Sequence, residues 1–147
     1  MGKLTRFTTF HVDGLLFGVE VESVQEIIRA HEVTPVPLAP SVIGGLINIR
    51  GQIVTVIELR RRLELPERPQ GQAPMNVVLP HQGGVVSLLV DGVAEVIEAD
   101  EDQFEVPPET LRGTPRQLIR GAYKLDDRLL LVLDVDRVLA IGEEESP

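Results

Sequence analysis

The residue types that most often carry chemistry are few in this chain and poorly spaced for it. There are three histidines, His11, His31 and His81, and no cysteine. Without cysteine there is no thiol nucleophile, thiolate metal site or disulfide framework. No histidine stands at a zinc-ligand spacing from another or from a useful acid cluster. His11 and Asp13 form an i, i+2 pair that on one strand face could hold a metal or act as a base, or be a polar pair at a hairpin end. His81 lies beside Pro80 in a turn, where a surface role is the plainer reading. Ser23, Ser41, Ser87 and Ser146 lie in no G-x-S-x-G and have no nearby histidine to activate them. There is no P-loop and no G-x-G-x-x-G. The pairs Gly44-Gly45 and Gly83-Gly84 read as tight turns or close backbone approach. Asp100, Glu101 and Asp102 lack the ligand alternation and turn glycine of a calcium loop. A carboxylate dyad would need a folded proximity that spacing does not show. No catalytic, cofactor or metal site is therefore assigned, and the chain reads as a binding module.

The elements that would present a binding surface are short strands. Hydrophobic residues make up 43% and charged residues 25% of the 147 positions, a balance that supports a folded core without staples. The aromatics are four Phe and one Tyr, so the core must be largely aliphatic. Apolar, β-branched runs recur between turn residues. Phe7 to Val12 and Leu15 to Val21 flank Asp13-Gly14, a hairpin signal. Leu46 to Ile49 and Ile53 to Glu58 flank Arg50-Gly51-Gln52. Asn76 to Leu79 and Val85 to Val90 flank Gly83-Gly84. Ile119 to Lys124 and Leu129 to Leu133 flank Asp126-Asp127. Hairpins dominate, so the sheets should be mostly antiparallel. Ser23 with Glu26 has the form of a capping box before Val24 to Arg29, a stretch that reads as a strand end or one helical turn. Leu59 to Leu63 and Val135 to Ala140 read as one or two helical turns. Residues 66–74, with Pro66, Pro69, Gly71 and Pro74, read as a linker.

The chain also repeats itself. Ile43 to Leu63 matches Ile119 to Leu139 at an offset of 76, with Gly45 on Gly121, Glu58 on Asp134 and Arg61 on Arg137. Val21 to Ile28 matches Val90 to Ile97 at an offset of 69, and there Gly14 falls on Gly83. The difference implies a seven-residue insertion between Ile97 and Ile119, where Pro107 and Pro108 sit. Two halves of roughly 70 residues, about 4–65 and 75–141, each have a marginal core alone. Two small barrels sharing an interface would remedy that and protect their edges. Which barrel the first strand joins is open at this level.

Charge is uneven. Residues 1–73 carry eight basic and eight acidic side chains; residues 74–147 carry six and fifteen. Asp91 to Glu109 holds eight acids and no base, as a solvated face or a partner-facing patch. Such a surface repels phosphate backbones, so nucleic acid is a poor partner. No apolar run approaches the ~20 residues of a spanning helix, and the N-terminus lacks a signal-peptide core, so the expected address is the cytoplasm without direct membrane contact.

At Gly45 to Leu65, GLINIRGQIVTVIELRRRLEL resembles the core motif of CheW-like proteins: a glycine, an apolar strand, N-[LI]-R-G, a second strand and a D/E-L-R element. GVEVESVQEIIR, VSLLVDGVAEVIE and IRGAYKLDDRLLLVLDVDRVL resemble further family segments in the same order, so the resemblance covers about residues 4–141. It implies one CheW-like domain over 1–147, an all-β fold of two pseudo-symmetric five-stranded SH3-like barrels with short helical turns. It also implies a non-enzymatic adaptor that couples the cytoplasmic tip of methyl-accepting chemoreceptors to the regulatory domain of the histidine kinase CheA, at receptor arrays reached through its partners. In the family the arginine of N-I-R-G, here Arg50, can pair with the glutamate matching Glu26. Asn48, Arg50, Gly51 and Glu26 are therefore candidate partner-binding residues, with an Arg50–Glu26 contact expected; otherwise Arg50 is an exposed turn arginine. Val24 and Gly45 match a receptor-facing surface. There Val24 would offer an apolar contact, or be a core valine; Gly45 would admit another chain, or be a turn glycine. Thr55 departs from the proline often found there and restores a strand N–H. Other readings stay open: a coupling protein of a pilus-motility or other chemosensory array, an oligonucleotide-binding barrel, and a small hydrolase with paired carboxylates. The net charge of -9 and single Tyr weigh against the oligonucleotide reading.

Overall fold

The computed structural model describes residues 3–107 and 113–141. Its strands run β1 (Leu4–Val12), β2 (Leu15–Glu20), β3 (Glu26–Arg29), β4 (Ile43–Ile49), β5 (Gln52–Glu58), β6 (Met75–His81), β7 (Gly84–Val90), β8 (Gly92–Asp100), β9 (Phe104–Glu105), β10 (Ile119–Lys124) and β11 (Leu129–Leu133). Short helices α1 (Leu59–Arg62), α2 (Thr114–Leu118) and α3 (Val135–Leu139) follow β5, precede β10 and follow β11.

Three hairpins close on two-residue turns, Asp13-Gly14, Arg50-Gly51 and Gln82-Gly83, in which both residues have positive φ. That backbone twist matches the twist of the flanking strands, and glycine at the second position adopts it without strain. The third turn lies one residue earlier than Gly83-Gly84, because His81 pairs with Gly84, which already belongs to β7. Val21–Ser23 forms a single 3-10 turn with no side-chain cap, and Glu26 opens β3. Ser23 and Glu26 therefore form no capping box; Glu26 is engaged elsewhere and its backbone pairs with Val78 of β6.

One sheet has the order β8-β1-β2-β11-β10-β9, the other β3-β6-β7-β5-β4. Under the two sequence offsets, β1 falls on β6, β2 on β7, β3 on β8, β4 on β10 and β5 on β11. The order of one sheet then maps onto the other. Each sheet takes a hairpin from one half of the chain and its other strands from the second. The joints are the parallel pairs β2–β11 and β7–β5. The β1–β2 hairpin thus completes the sheet built by the later half. The first sheet has six strands where five were expected, because β8 continues through a 3-10 turn (Glu101–Gln103) into two-residue β9, which pairs with β10. This closes that sheet. The second closes in the same way, where Thr34 and Leu46 exchange backbone bonds of 2.8 Å.

Strands at the centre are buried on both faces, so their runs are continuously apolar. In β11, Leu130 and Val132 point into one barrel, while Leu131 and Leu133 point into a core shared by both. In β7, Val86, Leu88 and Val90 join the shared core, while Val85 and Leu89 face the other barrel. The shared core is the largest, and Phe10 and Phe17 anchor it. Thr55 lies in a central strand, between Leu46 of β4 and Val86 of β7, where its N–H is of use. Arg62, 5% exposed, ties the halves together: its Nε donates to Val138 O at 2.9 Å and its Nη2 to Arg137 O at 2.7 Å, near the end of α3. A cation there also suits the carbonyl end of the helix.

Candidate partner-binding site

The β4–β5 hairpin presents the polar residues singled out in the sequence. Ile49 pairs with Gln52, leaving Arg50 (φ 50°) and Gly51 (φ 86°) as the turn. Asn48 Oδ1 accepts the Gly51 N–H at 2.8 Å, so the asparagine fixes the turn from the strand before it. Arg50 holds a left-handed conformation that side-chain-bearing residues rarely adopt, so its direction is set by the turn. Its Nη2 donates to Glu26 Oε2. Glu26 opens β3, and β3 and β4 are the two ends of the sheet order, so the pair bridges the seam where the barrel closes. The Arg50 guanidinium holds the Glu26 carboxyl below its usual range, and Glu26 raises Arg50 in turn. The arginine side chain remains 69% exposed, so most of its donors face outward.

Two of the other expected residues are placed differently. Val24 is half-buried against the shared core. Gly45 is buried at a bulge between β4 and β5 with φ 144°. A Cβ there would lie 2.5 Å from Thr34 O and 2.5 Å from Val33 Cγ1. Gly45 does admit a close backbone, but that backbone is the chain's own, in the seam that closes the barrel, and Gly45 is not a turn glycine.

Sequence reasoning missed the apolar flank of the hairpin. Ile53, paired with Asn48, is 61% exposed, and Ile27, next to Glu26, is 37% exposed. The period-2 pattern held the signal for Ile53, since Val54 and Val56 face inward. A groove of about 340 Å³ runs beside them, lined in part by Glu32, Thr34, Leu46, Asn48 and Ile53.

Sequence reasoning also missed a charged cluster at the end of β5. Arg60, 4% exposed, donates from Nε and Nη2 to the two oxygens of Asp91 at 2.9 and 2.6 Å. Arg68 reaches Asp91 at 3.0 Å and both oxygens of Glu58 at 2.9 and 3.1 Å. Burial pushes the Asp91 carboxyl up, but bonds from Arg60, the Asp13 N–H and Arg68 outweigh it and hold the group below its usual range. Arg60 Nη1 also donates to Pro66 O and Glu67 O. Residues 66–74 form neither helix nor strand, yet Arg68 and these bonds strap the stretch to the barrel. Asp13 sits in a hairpin turn with φ 52°, 3.6 Å from Arg60, not beside His11 on a strand face. Among the described residues no three His, Asp or Glu converge as metal ligands. Of the acidic stretch 91–109, positions 108 and 109 lie outside the described residues.

The later half carries its own version of the hairpin pair. Glu95, at the offset from Glu26, accepts Arg128 Nη2 at 2.5 Å from the β10–β11 turn. Twin closed barrels around one shared apolar core, with a glutamate–arginine pair on each hairpin seam, define an all-β double-barrel binding module. The chain belongs to the CheW-like domain family, whose pattern matches residues 6–143. It is similar to the chemotaxis protein CheW of Bacillus subtilis strain 168, 31% identical over 141 residues that cover 96% of this chain and 90% of that one. It is 27% identical over 142 residues to the chemotaxis protein CheW of Treponema pallidum strain Nichols, covering 94% and 84%. The scaffolding protein TtCheW of Thermoanaerobacter tengcongensis has the same fold, with a TM-score of 0.84 and 27% identity over 99% of this chain and 98% of that one. The function that goes with this family and fold is that of a chemotaxis coupling adaptor. Among the described residues no helix is long and apolar enough to cross a membrane.

Proposed function

We propose that this protein couples the cytoplasmic tips of methyl-accepting chemoreceptors to the regulatory domain of the histidine kinase CheA, and that it does so by contact, without a reaction of its own. It works in the cytoplasm, held at receptor arrays by these partners. Its contact surface includes the β4–β5 hairpin. Asn48 and Gly51 set the turn, Glu26 aims Arg50, and Ile27 and Ile53 supply apolar area beside the charge. The observation that carries this reading is the Arg50–Glu26 pair: a strained turn residue, held in place yet mostly open to solvent, is arranged for another molecule more than for stability. Gly45 serves the surface indirectly, by letting residues 33–34 close the seam beneath it.

Co-sedimentation with receptor fragments and CheA tests this. Arg50→Ala should reduce kinase recruitment and control by about ten-fold, the scale of one lost charge-assisted contact. Glu26→Ala should reduce it by less, because the guanidinium remains but is no longer aimed. Native recruitment and kinase control in both variants would reject the assignment.

A further inference from the structure

We propose that Asn76 and Ser87, buried inside the barrel of β3 to β7, are positioning residues for the Arg50–Glu26 pair: their hydrogen bonds pin β3 in register, and β3 carries Glu26 to the seam. The inference deepens the reading of the β4–β5 hairpin as a contact surface and rests on it for its functional meaning.

Both side chains are fully buried. Asn76 lies two residues before Val78 on β6, and Ser87 two residues after Val85 on β7. Alternation along the strands therefore points both into the interior that holds Ile47, Val54 and Val78. Ser87 Oγ donates to Asn76 Oδ1 at 2.7 Å, and Asn76 Nδ2 donates to Arg29 O at 3.2 Å. Arg29 is the last residue of β3. The pair thus joins β7, β6 and the end of β3.

Packing alone does not call for polar groups here. At the repeat offset of 69, Asn76 falls on Phe7 and Ser87 on Gly18. In the other barrel those two meet as an aromatic beside a glycine: a Cβ on Gly18 would lie 3.4 Å from Phe7 Cβ, and Phe7 belongs to that barrel's core. One place in the repeated scaffold is filled by hydrocarbon in one barrel and by an amide and a hydroxyl in the other. A buried hydrogen-bonded pair adds little net stability over an apolar pair of the same shape, but it tolerates only the arrangement that satisfies it.

Strand β3 needs such a device. It has four residues and stands at the end of the sheet order, with β6 as its neighbour. Of its side chains only Ile28 packs against the barrel's core. A single apolar anchor specifies register weakly. Residues 30–34 then run to the Thr34–Leu46 bridge, so the closing segment is held by Leu46 at one end and by Asn76 at the other. A β3 that slid along β6 would carry Glu26 away from the Arg50 turn and leave the Asn76 amide without the Arg29 carbonyl. The other barrel uses a similar grip. Buried Thr9 of β1 donates from Oγ1 to the carbonyl of Glu95 at 2.5 Å, and Glu95 is the partner of Arg128. In each barrel a buried polar side chain holds the backbone of the strand that bears the paired glutamate.

The test uses the isolated full chain. Asn76→Leu/Ser87→Ala removes the network without leaving a polar side chain unpaired, so its urea midpoint should stay near the native one. Amide hydrogen exchange in residues 27–34 should become about ten-fold faster, with β1 and β2 unchanged. The ¹⁵Nε heteronuclear NOE of Arg50 should fall to its value in Glu26→Ala. Ser87→Thr keeps the hydroxyl and should keep both signals native. Native exchange in residues 27–34, native order of Arg50, or exchange that rises alike throughout the chain with a lowered midpoint would each overturn the inference. Should the double variant fail to fold, Ser87→Ala decides by the same readouts, with a smaller rise confined to residues 27–34 and a partial loss of Arg50 order expected. Co-sedimentation of the double variant with receptor fragments and CheA separates the two claims: native recruitment alongside a disordered Arg50 would reject the hairpin as contact surface and leave the pin standing.

Discussion

At the end of β5, Glu58, Arg60, Arg68 and Asp91 form a closed, mostly buried network; at the matching end of β11, Asp134, Asp136 and Glu22 stand around an open cavity. The scaffold is the same at both places, down to the short helix that follows the strand. Sequence drift has changed where the cations sit. One end has become a structural joint that also straps residues 66–74; at the other Asp134 pairs with Arg137, and Glu22 and Asp136 have no ion pair among the described residues. The hairpins differ in the same spirit. Arg50 projects from a two-residue turn with positive φ, while Arg128 belongs to a four-residue turn, since Lys124 pairs with Leu129. One duplicated plan can therefore support two different surfaces, because packing fixes the barrels and leaves their polar ends open to change.

The largest expected break in this comparison is at the charged cluster. Asp91→Ala removes the carboxylate that the buried guanidinium groups of Arg60 and Arg68 share and should lower stability by about 3–5 kcal/mol in urea unfolding, while Arg60→Ala, which leaves Asp91 paired with Arg68, should cost less. Asp136→Ala or Glu22→Ala, at the matching exposed positions, should stay within about 0.5 kcal/mol. Equal losses at the two ends would mean that the ends are not different in kind. The cluster also carries a pH signature. The Asp91 carboxyl lies lower in the folded protein than in the unfolded chain, so its stabilisation is complete above the ordinary carboxylate range. It is lost as pH falls through about 4 and below, toward the folded value. Thermal melts from pH 6 to pH 2 should show a steeper decline in the native protein than in Asp91→Asn.

The paired glycines give an intermediate effect. Gly45 and Gly121 both sit at bulges where the closing segment crosses the sheet. A Cβ on Gly45 meets a backbone carbonyl in a φ that disfavours side chains, so Gly45→Ala should cost about 2 kcal/mol. A Cβ on Gly121 meets the Phe104 ring, 2.2 Å away, and that residue is 41% exposed and can swing out. Gly121→Ala should cost about 1 kcal/mol, largely the lost edge contact of Phe104 on Tyr123. In the background of Phe104→Ala, Gly121→Ala should be nearly neutral by the same denaturation assay; a full, additive loss would contradict the contact.

The smallest expected effect on stability is at the β4–β5 hairpin. Arg50→Gly relieves about 1–2 kcal/mol of left-handed strain and adds about 0.5–1 kcal/mol of unfolded-state entropy. Its unfolding midpoint should therefore stay close to the native one or rise slightly, while receptor and kinase recruitment falls as in Arg50→Ala. A hairpin that unravels instead would mean that Arg50 serves the fold.

Much of the fold was legible because its signals are short-ranged. Asp13-Gly14 and Arg50-Gly51 mark turns through backbone preferences of the two residues alone, and the repeat exposes equivalent strands without knowledge of their contacts. The Arg50–Glu26 contact followed from the family resemblance; spacing alone leaves Arg50 as an exposed turn arginine. Arg60, Arg68 and Asp91 were missed because their partners come from α1, the strap and the β7–β8 junction. No local pattern relates residues 31 positions apart. Val24 was ambiguous because an apolar residue at a strand start suits a core as well as a surface.

By itself the sequence determined the eight strands of the four hairpins, the turns at Asp13-Gly14 and Arg50-Gly51, the duplication and the family, while β3 stayed open and β8 and β9 were not read. Each depends on residue preferences or alignable order along the chain. Tertiary structure alone decided that the β1–β2 hairpin completes the later half's sheet, that Gly45 makes room for residues 33–34, and that one charged end is closed and the other open. The reason is physical: strands buried on both faces carry apolar residues throughout, so their side chains do not encode which neighbour lies beside them, and that choice is made only when the two barrels close around their common core.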